Sequence, residues 1–87
     1  MARTNPSPTF PMYPAGAEAV AKSDTVNLPS PSVIYVGGAG ATGTVKVTTF
    51  LGDTVTFVGL SAGSVIPVQV IRVWNSVTDA TDLVRIY

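Results

Sequence analysis

The sequence predicts an all-β protein: a small antiparallel β-sandwich or barrel of about five strands, preceded by an extended, proline-rich N-terminal arm. From Ser32 onward, segments rich in Val, Ile and Thr alternate with period two and are separated by glycine-rich or polar turns, with no apolar repeat of helical spacing. Within that region Gly52-Asp53, a dipeptide suited to a tight turn, divides Val45–Val58 into two alternating halves. Ahead of it, Pro6, Pro8, Pro11 and Pro14 each fix φ and push the preceding residue toward extended backbone, which excludes a helix.

The elements follow in order. Residues 1–14 read as a polyproline-like arm carrying Phe10, Met12 and Tyr13, large apolar groups that a purely solvating tail has little reason to hold. The arm's Pro-x-x-Pro spacings lack the flanking basic residues of SH3-type ligands. Ala15 to Lys22 is rich in Ala and Glu and predicts one or two helical turns, closed by the turn signal Ser23-Asp24-Thr25. Leu28-Pro29-Ser30-Pro31 leads into the first strand, Ser32 to Val36, so the chain divides into an arm over 1–31 and a β domain over 32–87. Gly38 to Gly43 is expected to be a flexible hairpin loop. A two-residue turn at Gly52-Asp53 would then set Phe50 opposite Val55 and Thr48 opposite Phe57 on an aromatic core face, with Val47, Leu51 and Val58 among threonines on the other. Ser64 to Trp74 is the longest strand, with Ile66, Val68, Val70 and Trp74 on one face and Val65, Ile71 and Val73 on the other; Trp74 is a core anchor or an interface hot spot. A polar loop over Asn75–Thr81 and a last strand over Asp82–Tyr87 complete the chain.

Sheet faces that are apolar on both sides imply a neighbour. The β-rich part is only about 55 residues, a size at which domains bury only about 60% of their unfolded surface. The chain has no Cys, so no disulfide reinforces that core. Homo-oligomerisation is the expected remedy, with Phe10, Met12, Tyr13, Val45, Val47, Val58 and Trp74 as the candidate interface.

The same composition removes most chemistry. Without Cys or His the ordinary zinc and transition-metal ligand sets are missing, and His-based nucleophile triads with them. Charged residues make up 11% of the 87 residues and the net charge is zero, so no basic stripe for nucleic acid can be drawn. No apolar run reaches the roughly 18 residues of a membrane helix. Gly38-Ala-Gly-Ala-Thr-Gly43 matches G-x-G-x-x-G, yet the residues after Gly43 are strand-like, and the dinucleotide fingerprint needs a helix there. Asp79 and Asp82 suit a turn better than a cation site, which wants six to eight oxygens. The expectation is a non-enzymatic protein with no catalytic residue, cofactor or metal.

In their order and spacing, Ser23-Asp24-Thr25, Leu28-Pro29, Ile34-Tyr35-Val36-Gly37-Gly38, Val45–Thr48, Gly52–Phe57, Ala62–Val68, Arg72-Val73 and Ala80–Tyr87 resemble the spike base protein family of gene transfer agents and tailed phages of alphaproteobacteria. The resemblance covers about residues 18 to 87. It implies a virion component, assembled in the bacterial cytoplasm: a ring, pentameric at five-fold vertices, seated on capsid proteins and carrying a spike fibre. Two other readings keep the β-fold. One is a carbohydrate-binding adhesin module using Tyr13, Tyr35, Trp74 and Tyr87 as sugar platforms; the other is a capsid decoration or tail connector protein.

Overall fold

The computed structural model describes residues 14–87. Six strands, β1 (Ala17–Ala19), β2 (Ser32–Gly38), β3 (Val45–Thr49), β4 (Thr54–Phe57), β5 (Val65–Val73) and β6 (Thr81–Ile86), form one antiparallel sheet in the order β1-β6-β2-β5-β3-β4. The all-β antiparallel expectation is met, with six strands where about five were expected and all of them in a single sheet. The additional strand is β1, which lies where helical turns were expected. An isolated helix that short is marginal in water, whereas the free edge of β6 offers backbone partners directly: Gly16 donates to the Tyr87 carbonyl at 2.7 Å and accepts from the Tyr87 N–H at 2.9 Å.

A single sheet must supply every wall of its own core. Ile34 and Val36 from β2, Val45 and Val47 from β3, Ile66, Val70 and Val73 from β5, and Leu83 from β6 are all buried in one cluster with Ala80. Val20, Leu28, Phe57, Leu60 and Val68 pack around it. The sheet closes on this face because the β5–β6 connection runs along the start of β3: Asp79 N–H and Ala80 N–H donate to the Thr44 carbonyl at 3.0 and 3.3 Å, and Lys46 N–H donates to Thr78 Oγ1 at 2.9 Å. One end is thus barrel-like, while β1 and β4 remain edges.

Two registers differ from the expected ones. In the β3–β4 hairpin, Val45, Lys46, Val47 and Thr48 face Phe57, Thr56, Val55 and Thr54, three positions away from the arrangement of a two-residue turn. The loop is Phe50-Leu51-Gly52, closed by Thr49 N–H donating to the Asp53 carbonyl at 2.8 Å and Gly52 N–H to the Thr49 carbonyl at 2.9 Å. A three-residue loop ending in a positive-φ glycine is a common hairpin solution, and Gly52 has φ 99°. An odd shift exchanges the faces, so Val45, Val47 and Thr49 turn inward while Phe50 and Leu51 are left in the loop. In β5 the register against β3 slips between Thr48 and Thr49, where Val47 pairs with Val73 but Thr49 with Val70. One extra residue there reverses the alternation; Val73 joins Val70 in the core, and Trp74 leaves it.

The glycine-rich connection is not a hairpin, since β5 lies between β2 and β3. Nor are its glycines there for flexibility. Gly40 and Gly43 have φ of 67° and 66°, and a Cβ on either would stand 2.1 Å from a backbone oxygen, of Asp79 and of Leu60 respectively. They allow close approach of one backbone to another.

Ile34→Ala is expected to cost roughly 2–5 kcal/mol as a cavity in this core, read as a lower urea midpoint. Val47→Lys, which buries an unpaired charge, should abolish cooperative unfolding altogether. A folded Val47→Lys protein would contradict the register.

Candidate assembly surfaces

The structure separates the candidate interface residues. Phe10, Met12 and Tyr13 lie outside the described residues. Val45 and Val47 are each 0% exposed, which corrects their placement at an interface: the three-residue hairpin loop turns them into the core. Val58, just beyond β4, is 69% exposed. Trp74 is half-buried on the outer face, its core-anchor reading removed by the β5 bulge.

The hairpin tip carries surface that the two-residue turn had concealed. Phe50 and Leu51 are 58% and 86% exposed, and with Thr49, Asp53, Val68 and Gln69 they line an open groove of ≈ 290 Å³. Beside it β4, Thr54-Val55-Thr56-Phe57, is an edge strand with no charge, proline or bulge to discourage pairing. Because Thr49 and Asp53 are hydrogen-bonded, alternation makes Val47/Val55 and Val45/Phe57 the bonded pairs. Thr54 and Thr56 therefore turn their N–H and C=O groups away from β3.

The outer face is apolar at one end and polar at the other. Tyr35 and Val65, both exposed, pair across β2 and β5, and Val84 flanks Tyr35 from β6. Toward the opposite end Trp74 donates its indole N–H to Thr48 Oγ1 at 3.0 Å, with Lys46 Nζ 4.4 Å and the Arg72 guanidinium 5.2 Å from the ring. Arg72 is itself held by Asn27 Oδ1 at 2.9 Å and the Asp24 carbonyl at 3.2 Å. The other tyrosine within the described residues, Tyr87, has the Arg85 guanidinium 3.8 Å from its ring.

The polar side chains with several partners fasten segments of chain. Arg85, on the core face of β6, donates through Nε and Nη2 to Glu18 Oε1 at 3.0 and 2.9 Å and through Nη1 to Ser32 and Ser30 Oγ at 2.9 and 3.1 Å. It ties β1 and the entry to β2 onto β6. Asp24 Oδ1 accepts from the N–H groups of Ser76 and Asn75, each at 2.9 Å, and these bonds, the Ser76 N–H foremost, hold its carboxyl below the usual range. Asp79 accepts from Thr42 Oγ1 at 2.7 Å, Thr42 N–H at 2.8 Å and Thr44 N–H at 2.9 Å. Its carboxyl is likewise lowered, first by the Thr42 hydroxyl. Between the two carboxylates Val77 has φ 74°, a strained conformation for a β-branched side chain. Asp79 is committed to the chain itself, and no group of three or more His, Cys, Asp or Glu able to hold a metal is found among the described residues.

No family profile and no curated protein matches the chain. A solved structure does. The chain is similar to one in the capsid of a native gene transfer agent (GTA) particle computed with C5 symmetry, at 27% identity and a TM-score of 0.69, over 85% of this chain and 83% of that one.

The two depressed carboxyls set an acid dependence. Their folded pKa values lie below the ordinary value of 3.8, so their contribution is complete above that value and is lost as pH falls through the folded ones. The urea midpoint should drop below about pH 4, and Asp79→Asn should lie closest to the wild type in acid and furthest from it near neutrality. A gap that stays constant from neutral pH to below pH 3 would contradict the role given to this carboxylate.

Proposed function

We propose that this chain is a non-enzymatic structural protein of a phage or gene-transfer-agent particle, forming the base of a head spike as a closed, pentameric ring that joins the capsid to a spike fibre. The carrying observation is the likeness to a chain of a GTA capsid, which spans most of both chains at a TM-score of 0.69. That particle was computed with C5 symmetry, with which a five-fold assembly of this chain is compatible. The physics of the subunit is compatible with such a role. A ring subunit needs lateral surfaces as well as surfaces for what lies above and below it, and this fold offers an unprotected β4 edge, the exposed Phe50, Leu51 and Val58, and an outer face with Tyr35 and Val65. Phe10, Met12, Tyr13, Val58 and Trp74 remain the proposed contacts from the original set. Localisation is then to the particle, after assembly in the bacterial cytoplasm, with no nucleic-acid or membrane partner.

The sugar-binding alternative loses support at two of its four aromatic residues, while Tyr35 stays exposed and Tyr13 lies outside the described residues. Cations already stand over Trp74 and Tyr87, where a sugar ring would need a free face. A capsid decoration or tail connector role stays compatible with the same surfaces, and is separated by where the chain sits in the particle.

Light scattering after size exclusion is expected to give one closed species of ring size. Val58→Lys, a change at an exposed position, should leave the β-type far-UV spectrum intact and move at least half of the protein to lower mass. Glycan-array binding by a monomer, without ring formation, would support the adhesin reading and overturn this one.

A further inference from the structure

We infer that residues 15–28 are exchanged between neighbouring copies of this chain, each copy laying this strap on the next, with Pro29-Ser30-Pro31 as the hinge. The inference deepens the ring reading above and rests on it. The strap is held by the surface beneath it far more than by itself. It first follows β6, where Gly16 pairs with Tyr87 and Val20 N–H donates to the Leu83 carbonyl at 2.9 Å. Lys22 Nζ donates to the Ala80 carbonyl at 3.1 Å. The strap then crosses to the end of β5, where Ser23 N–H and Leu28 N–H donate to the Val73 and Ile71 carbonyls at 3.0 and 2.7 Å. Glu18 on Arg85, Asp24 on the Asn75 and Ser76 N–H groups, and Asn27 on Arg72 fix its position. Within the strap, the hydrogen bonds are those of one turn around Ser23, whose Oγ accepts from Thr25 and Val26 N–H.

Every copy carries the same seat, so a neighbour's strap makes the same bonds and brings the same Val20 and Leu28 against the core. The contacts are equal in the two arrangements, and the cost of association and the hinge decide between them. In a ring the copies are already side by side, which leaves the hinge.

The hinge opposes folding back. Leu28 bonds to Ile71 and Ser32 pairs with Val70, the adjacent residue of β5. A strap seated on its own chain therefore needs the three residues between to turn within about one strand step, roughly 3.3 Å. Leu28 and Ser30 each precede a proline, which biases both toward extended backbone. Opened out, the four steps from Leu28 to Ser32 reach roughly 13–14 Å. The strap of one copy thus lands on a neighbour whose β2 entry lies within that reach, and the exchange draws these entries toward one another around the ring.

The chain contains no Cys, so disulfide trapping has no background. Ala17 pairs with Ile86 across β1 and β6, next to the bonded pair Gly16 and Tyr87. Alternation makes theirs a non-bonded pair with Cα atoms about 4.5 Å apart, a distance that a disulfide spans. Ala17→Cys combined with Ile86→Cys should, on mild oxidation of the full chain, give a ladder of covalent multimers on a denaturing, non-reducing gel. Ala19→Cys combined with Val84→Cys reports the same seat through a second pair. Ala17→Cys combined with Thr81→Cys, at the far end of β6, should give at least tenfold less linked product. A ring by light scattering whose disulfides all close within one chain, or which links equally in the Thr81 control, overturns the exchange and leaves the ring in place. A monomer whose disulfides all close within one chain overturns the exchange and the ring together, and the absence of any disulfide in both matched pairs removes the seat and this inference with it.

Discussion

The structure depends on the closure of one curled sheet by the segment between β5 and β6. Asp79 and Ala80 donate their backbone N–H groups to the Thr44 carbonyl, Thr78 Oγ1 accepts from Lys46 N–H, and the Asp79 carboxylate reaches on to Thr42 and Thr44. With that contact made, side chains from β2, β3, β5 and β6 meet as one core. Without it each would belong to the face of an open sheet, and a lone face of Val and Ile has nothing to bury against. Gly40 and Gly43 serve the same closure, because only residues without Cβ let the β2–β3 connection approach the Asp79 and Leu60 backbones.

A fold built this way covers one face and leaves the rest for other molecules. The β4 edge and the Tyr35–Val65 end of the outer face are not protected by charge, and the scarcity of charged residues leaves little with which to protect them. For a free monomer such a surface invites aggregation. For a subunit of a particle it is the contact surface, and the likeness to a GTA capsid chain points the same way.

The class of the fold was legible because Val, Ile and Thr at period two, punctuated by glycine, leave few alternatives to antiparallel strands. Its registers were not. Gly52-Asp53 is a good two-residue turn, but Gly52 instead closes a three-residue loop, and that odd shift sent Val45 and Val47 into the core and brought Phe50 and Leu51 out. A single extra residue in β5 did the same to Trp74. Both depend on what β3 and β5 gain by pairing with each other, a long-range term absent from local pattern. The β1 strand was hidden for a similar reason: Ala17–Ala19 has modest strand propensity, and it is the free edge of β6 together with Glu18 meeting Arg85 that makes it a strand. The Asp79 clasp left a trace in the sequence only as a turn-forming acid, with nothing to say that its partners lay more than 30 residues earlier.

The central claim is that this small sheet is completed by copies of itself. Thermal unfolding followed over about a hundredfold range of protein concentration tests it most directly, because a subunit stabilised by its neighbours has a Tm that rises with concentration. The account predicts such a rise, accompanied by loss of the ring and of the β-type far-UV signal in one transition. A chain that stays monomeric throughout and melts at one temperature whatever its concentration would contradict it.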